Sequence, residues 1–188
     1  MPRPILMLTA LAAVFSAAAP ARGEPPADAR EALRQAVYHY CLPAVMAGHS
    51  VAEYAFGGGL EPIEKSLLAL NDGGKARYAW LFKYDGGQLV VSEEGRAPAN
   101  TCQIFMRRGD AAAAQRSIAE LLACDACYFE KDRRATVETG AMRRDAYVWR
   151  DGGRVVRIEA ARRLRRENRS DPVFFLTVNA SSVGASGD

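Results

Sequence analysis

Two cysteines separated by two residues form the clearest chemical motif in the sequence, Cys124-Asp125-Ala126-Cys127. This spacing occurs in thiol oxidoreductases, where a helix that begins at the pair lowers the pKa of the attacking thiol. Here the pair follows a predicted helix, so the helix dipole has the opposite sign, and Asp125 adds negative charge. The motif therefore favours a structural bridge or an exposed loop, with thiol-disulfide exchange by Cys124 and Cys127 as an alternative function.

The other two cysteines are Cys41 and Cys102, which makes an even count of four. An even number in an exported chain favours two disulfide bonds, and the sequence allows three pairings. We favour Cys41–Cys102 and Cys124–Cys127. The first would close a loop of about 60 residues and stabilise the fold by about 4 kcal/mol in the chain-entropy model.

Other catalytic and metal-binding signals are weak. Zinc needs three or four ligands, and no spacing requires Cys41, Cys124, Cys127 and His39 to converge. His39 and His49 are the two histidines, no Gly-x-Ser-x-Gly motif occurs, and Ser50 resembles a helix cap. We therefore predict no metal and no cofactor, and we leave catalysis uncertain while favouring a protein that is not an enzyme.

Arginines are concentrated near the C-terminal end. Ten of them lie between Arg143 and Arg169, against four acidic residues. The densest part, a candidate anion-binding site, contains Arg162, Arg163, Arg165 and Arg166. Guanidinium groups bind phosphate and carboxylate through two parallel hydrogen bonds, so anionic envelope lipids are an alternative ligand. The other interpretation is a charged strand edge that opposes aggregation.

Aromatic side chains alternate along one segment, at Tyr78, Trp80, Phe82 and Tyr84. Residues two apart on a strand share a face, so the four rings form one stripe. Such a stripe is typical of core packing, and a ligand groove at Tyr78, Trp80 and Phe82 is the alternative.

Two principal helices are predicted around these residues. Asp28 caps the first, whose apolar positions recur at helical spacing. Pro43 disfavours helical backbone at Leu42, so we expect a break there and a new helical start at Pro43. Asp110 caps the second helix, which runs from Ala111 to about Ala123.

The remaining patterns predict an α+β fold. Seven segments read as strands: 77–83, 88–92, 101–107, 135–139, 142–149, 155–160 and 173–178. We predict a mainly antiparallel sheet of about six or seven strands, carrying the two helices and stabilised by disulfides. Asp85-Gly86-Gly87 and Asp151-Gly152-Gly153 each follow a predicted strand. They suggest either a duplicated helix-plus-meander unit or the repeated use of a favoured hairpin turn.

The first residues have the pattern of a secretory signal peptide. Arg3, an apolar run to Phe15 and the small residues Ala19-Pro20-Ala21 predict cleavage after residue 21. Residues 22–27 then form a disordered leader, 28–180 a single α+β domain and 181–188 a disordered tail. The Ala- and Arg-rich composition favours a bacterial periplasm, with secretion as the alternative.

Charge and compartment together favour a binding protein. Without residues 1–21 the chain has 24 Lys and Arg against 22 Asp and Glu, which is too balanced to indicate a nucleic-acid partner. We predict a non-enzymatic protein that binds a protein partner or an envelope component. An inhibitor that presents the loop between Cys124 and Cys127 is one version. We expect no transmembrane segment after signal cleavage, and the oligomeric state stays open.

Overall fold

The computed structural model describes residues 28–58, 60–64, 76–95, 101–123, 128–165 and 171–182. Several predicted features lie outside these ranges: the signal peptide, the leader, most of the tail, Cys124, Cys127 and Arg166. A short helix is also expected from Pro62 to Leu70. Only its first three residues are described, and Pro62 lies in a strand.

The first helix is continuous across the predicted break. It consists of α1 (Ala29–Gln35), a π-helical segment (Ala36–Cys41) and α2 (Leu42–Ala47). The Asp28 carboxylate accepts a hydrogen bond from the Glu31 backbone N–H, as a cap does. Leu42 is helical and its N–H bonds to the Val37 carbonyl, so the break predicted there is wrong. The π segment shifts the hydrogen-bond frame by one residue, and Pro43 then lies in the first turn of α2, where its missing N–H costs little.

Two further helices follow. Helix α3 (Val51–Gly58) begins after Ser50, whose hydroxyl accepts a hydrogen bond from the Ala52 N–H. Helix α4 (Ala111–Leu122) begins after Asp110, whose carboxylate accepts from the N–H groups of Ala112 and Ala113. The predicted cap at Asp110 is therefore confirmed.

Within the described residues, one antiparallel sheet contains nine strands, in the order β1-β2-β3-β4-β9-β8-β7-β5 with β6 also paired to β7. The predicted sheet is confirmed, but its strand count was too low. The two unpredicted strands, β1 and β5, are two residues long, too short for an alternating pattern. The bounds are Glu61–Pro62 (β1), Ala76–Tyr84 (β2), Gly87–Glu94 (β3), Thr101–Met106 (β4), Glu130–Lys131 (β5), Val137–Glu138 (β6), Met142–Asp151 (β7), Arg154–Arg163 (β8) and Phe174–Ser182 (β9).

The helices cover one face of the sheet, which we call the helix face. The main core lies between the helices and this face of the sheet, and it includes Leu33, Trp80, Ile104 and Ile158. A smaller apolar cluster lies on the opposite face, around Val90 and Phe105. The Cys41–Cys102 disulfide joins the end of the π segment to the central strand β4, as predicted.

The two halves of the sheet are built alike. Each is a three-stranded meander, β2-β3-β4 or β7-β8-β9, and their third strands pair with each other. Both hairpins have two-residue loops, at 85–86 and 152–153. Asp85 therefore lies within its loop, whereas Asp151 lies just before its loop, so the two Asp-Gly-Gly sequences are offset by one residue in the structure. The last pair before each loop is Tyr84↔Gly87 in the first half and Asp151↔Arg154 in the second.

Candidate functional site

A cleft of about 290 Å³ opens between the β7–β8 hairpin and the last turn of α2. We call it the hairpin cleft. Its volume equals that of about ten water molecules in the liquid, so a small ligand would fill it. Its lining residues are Met46, Trp149, Asp151, Gly152, Arg154 and Val156.

One aromatic ring, that of Trp149, lines the hairpin cleft, and two further rings pack against it. Strand β5 pairs with β7, and this pairing brings Tyr128 and Phe129 beside Trp149. The Tyr128 ring stacks on Trp149 with centroids 6.0 Å apart and an interplanar angle of 29°, and Phe129 lies 6.2 Å away. Tyr128 is nevertheless 75% exposed. An exposed ring stacked on a cleft-lining tryptophan offers a flat apolar surface to a ligand.

Two opposite charges lie at the tip of the same hairpin. Asp151 and Arg154 are directly opposed across β7 and β8. Within the part of the chain that the structure describes, these two side chains do not form an ion pair with each other. Arg154 Nη1 donates to the Met46 carbonyl instead, at the end of α2. This contact holds the guanidinium in place while its other N–H groups remain available to a ligand.

The equivalent position in the first half is filled. There the pair is Tyr84↔Gly87, and the Tyr84 ring lies over Gly87 so closely that a Cβ on Gly87 would be 2.4 Å from the Tyr84 hydroxyl oxygen. The same hydroxyl lies 3.9 Å from Met106 Sδ, and burial raises the pKa of Tyr84. The first half therefore uses its own side chain where the second half has an open cleft.

A second polar cluster lies on the helix face of β7. Asp145 is buried, and its Oδ1 is 2.7 Å from Lys131 Nζ, while Arg143 Nε lies 3.9 Å from Oδ2. The neighbouring Tyr147 is also buried. Desolvation and the Asp145 charge raise the pKa of Tyr147 to about 12. A phenol with that pKa is a poor proton donor or acceptor near neutral pH, so this cluster supports ion pairing rather than acid–base catalysis.

Tyr147→Phe is expected to leave the free energy of unfolding at pH 7 unchanged or slightly higher. The buried hydroxyl has no hydrogen-bond partner among the described residues, so its removal ends a desolvation cost. The folded-state pKa is raised, hence the wild-type protein loses stability as the pH rises from about 10 to about 12. The variant should lose less across that window in urea denaturation. A Tyr147→Phe protein that is markedly less stable at pH 7 would contradict this assignment.

Of the predicted anion-binding arginines, Arg162, Arg163 and Arg165 lie among the described residues. Arg162 and Arg163 are consecutive in β8, so their side chains point to opposite faces of the sheet. Arg163 Nη1 lies 3.8 Å from Asp171, and its guanidinium lies 5.4 Å from the Phe175 ring centroid. Arg165 is exposed beyond β8. Three other arginines of the region form ion pairs: Arg143 with Glu138, Arg144 with Glu159 and Arg157 with Asp132. Anion binding here stays a prediction.

The predicted aromatic groove falls mainly in the core. Trp80 and Phe82 are 2% and 8% exposed, and the edge of the Tyr40 ring packs on Phe82. Tyr78 is 41% exposed, with the Arg77 guanidinium 5.0 Å from its ring centroid. Of these three residues, Tyr78 alone has a side chain exposed enough to contact a ligand at the surface.

Sequence reasoning missed the hairpin cleft, because its residues come together only through strand register and the position of α2. The available signals were the adjacent aromatics Tyr128 and Phe129 and the charges that flank the second Gly-Gly turn. Across the described ranges, no three His, Cys, Asp or Glu side chains are grouped so that they could hold a metal ion. In those same ranges, no helix has the length and apolar character to cross a membrane.

Comparison of the chain with models of protein families, with curated proteins and with solved structures found no match.

Proposed function

We propose that this chain is an exported, non-enzymatic binding protein that takes a small ligand in the hairpin cleft. The observation that carries the proposal is the contrast between the two halves. At equivalent hairpin positions, the first half fills the space with Tyr84, while the second leaves a cleft bordered by Trp149, Asp151 and Arg154.

The bacterial periplasm is the compartment we propose, with secretion as the alternative. A disulfide that joins a helix to the central strand is consistent with folding in an oxidising compartment. The signal-peptide pattern in residues 1–21 supports export independently of the fold.

Duplication of a helix-plus-meander unit would explain how the cleft arose. The matching hairpin loops and the antiparallel pairing of the two third strands support such an origin. After duplication, one copy would keep an aromatic plug at the hairpin and the other would expose the same position to a ligand.

A plugged variant tests the proposed function. Asp151→Tyr combined with Arg154→Gly reproduces the Tyr84 and Gly87 pair, so a ring should close the hairpin cleft. We expect some compounds of a small-metabolite library to raise the melting temperature of the wild-type protein and to leave that of the plugged variant unchanged.

Arg150→Tyr is the matched control, because Arg150 is exposed on the same hairpin but on the opposite face of the sheet. It adds an equal ring without closing the cleft and should keep every response of the wild-type protein. Circular dichroism of both variants checks that the fold is retained. The proposal is wrong if no compound distinguishes the wild-type protein from the plugged variant.

A further inference from the structure

We infer that the ligand of the hairpin cleft is a single zwitterionic α-amino acid with an aromatic side chain. This inference rests on the proposed function and adds the chemical class of the ligand. It follows from the size of the cleft, from the Trp149 indole in its lining and from the two charges at its rim.

The size of the cleft limits the ligand. A volume of about 290 Å³ lies at or below the lower end of the range for drug-sized ligands. Space for about ten water molecules accommodates one amino acid but not a folded segment or an oligosaccharide. A single small molecule is therefore the occupant that the cleft can hold.

The apolar part of the cleft suits a flat ring. Trp149 offers its indole, supported by the stacked Tyr128, and Val156 and Met46 supply aliphatic and thioether contacts. Aromatic rings pack on one another in offset or edge-on arrangements, and methionine adapts to irregular ligand edges. An aromatic side chain would therefore gain more contact here than a small or a charged one.

The rim suits a zwitterion. Asp151 and Arg154 are directly opposed on adjacent strands, which places their Cβ atoms about 5 Å apart. Arg154 can hold a carboxylate through two hydrogen bonds, and Asp151 can accept from an ammonium group. An anion without an ammonium group would be repelled by Asp151, and a cation without a carboxylate would be repelled by Arg154. An α-amino acid carries both charges on neighbouring atoms and satisfies the two residues together.

L-Phenylalanine is the probe, with 3-phenylpropionate and phenethylamine as analogues that each lack one charge. The sequence has two tryptophans, and Trp80 is buried in the core, so Trp80→Phe leaves Trp149 as the fluorescent reporter in the cleft. Calorimetric titration of the unmodified protein gives the affinities. We expect saturable phenylalanine binding and at least about tenfold weaker binding of both analogues, since each lost charged hydrogen bond costs about that factor.

Two variants separate the roles of the charges. Arg154→Gln should weaken phenylalanine about tenfold and leave phenethylamine unchanged or tighter. Asp151→Asn should weaken phenylalanine by a similar factor and leave 3-phenylpropionate unchanged or tighter, because the repelling carboxylate is gone. A merely structural role for these residues would weaken all three probes alike.

The inference is overturned if phenylalanine shows no saturable binding up to about 10 mM, tenfold above a millimolar site. It is also overturned if either analogue binds as well as phenylalanine. Library compounds that stabilise the wild-type protein but not the Asp151→Tyr/Arg154→Gly variant would then preserve the proposed function with another ligand. If no such compound exists, the inference and the proposed function both fail.

Discussion

Replacing Cys41 and Cys102 together by alanine is expected to lower the free energy of unfolding by about 4 kcal/mol. The disulfide joins residues 61 apart in the sequence, so it removes much conformational freedom from the unfolded chain. Both cysteines are fully buried, and alanine fits at each without adding a polar group. Urea denaturation of the oxidised wild-type protein, the reduced wild-type protein and the double variant measures the effect.

The matched control is Cys124→Ala combined with Cys127→Ala. Any bridge between these two would close a four-residue loop, which contributes about 2 kcal/mol in the same model. The free energy of unfolding of the reduced wild-type protein should therefore be closer to that of the Cys41→Ala/Cys102→Ala variant than the control's value is. Equal stability of the oxidised wild-type protein and the Cys41→Ala/Cys102→Ala variant would contradict the structural role of the bridge.

The same bridge should influence the hairpin cleft. Cys41 ends the π segment, and Met46, five residues later, contributes both a cleft side chain and the carbonyl that receives Arg154. The disulfide joins this continuous helix, which runs from Ala29 to Ala47, to β4 at the centre of the sheet. A helix fixed in this way keeps one wall of the cleft in place, which lowers the ordering cost of binding.

Local signals made much of the fold predictable. Asp28 and Asp110 precede apolar helical stripes, and both are caps in the structure. The hairpin predicted at Asp85-Gly86-Gly87 is present, and its loop consists of residues 85–86, where Gly86 adopts the positive φ that the turn requires, here 79°. The Cys41–Cys102 pairing was also accessible, since a long loop gains most from closure and the helix had to pack on the sheet.

Other features depend on contacts that a linear pattern does not encode. Strands β1 and β5 exist only because longer neighbours offer hydrogen-bonding edges to two residues each. The π segment lets the helix continue past Leu42 with Pro43 in the first turn of α2, and helix propensities of single residues do not predict such a segment. The hairpin cleft depends on where each loop falls in its Asp-Gly-Gly sequence. The second loop lies one residue later than the first, so Arg154 occupies the position that Gly87 has in the first half.

Glu93 is a buried carboxylate that no pattern in the sequence singles out. It lies on β3 beside Cys102 of β4 and has no exposed surface. Its Oε2 accepts hydrogen bonds from the Ser50 hydroxyl at 2.6 Å and from the Val51 N–H at 2.7 Å. Arg77 Nη1 lies 3.8 Å from the other oxygen. The carboxylate therefore caps helix α3 from the sheet and attaches that helix to β3.

Glu93→Ala is expected to lower the free energy of unfolding by about 3 kcal/mol, because it leaves the part-buried Ser50 hydroxyl and the buried Val51 N–H without their acceptor and opens a cavity. Glu93→Gln keeps the shape and one acceptor oxygen, so its loss should be about half as large. Gln88→Ala, an exposed change on the same strand, is the control and should have little effect. Urea denaturation of the three variants decides the matter. If Glu93→Ala is as stable as Gln88→Ala, α3 is held by its apolar contacts alone, and the carboxylate is not its anchor.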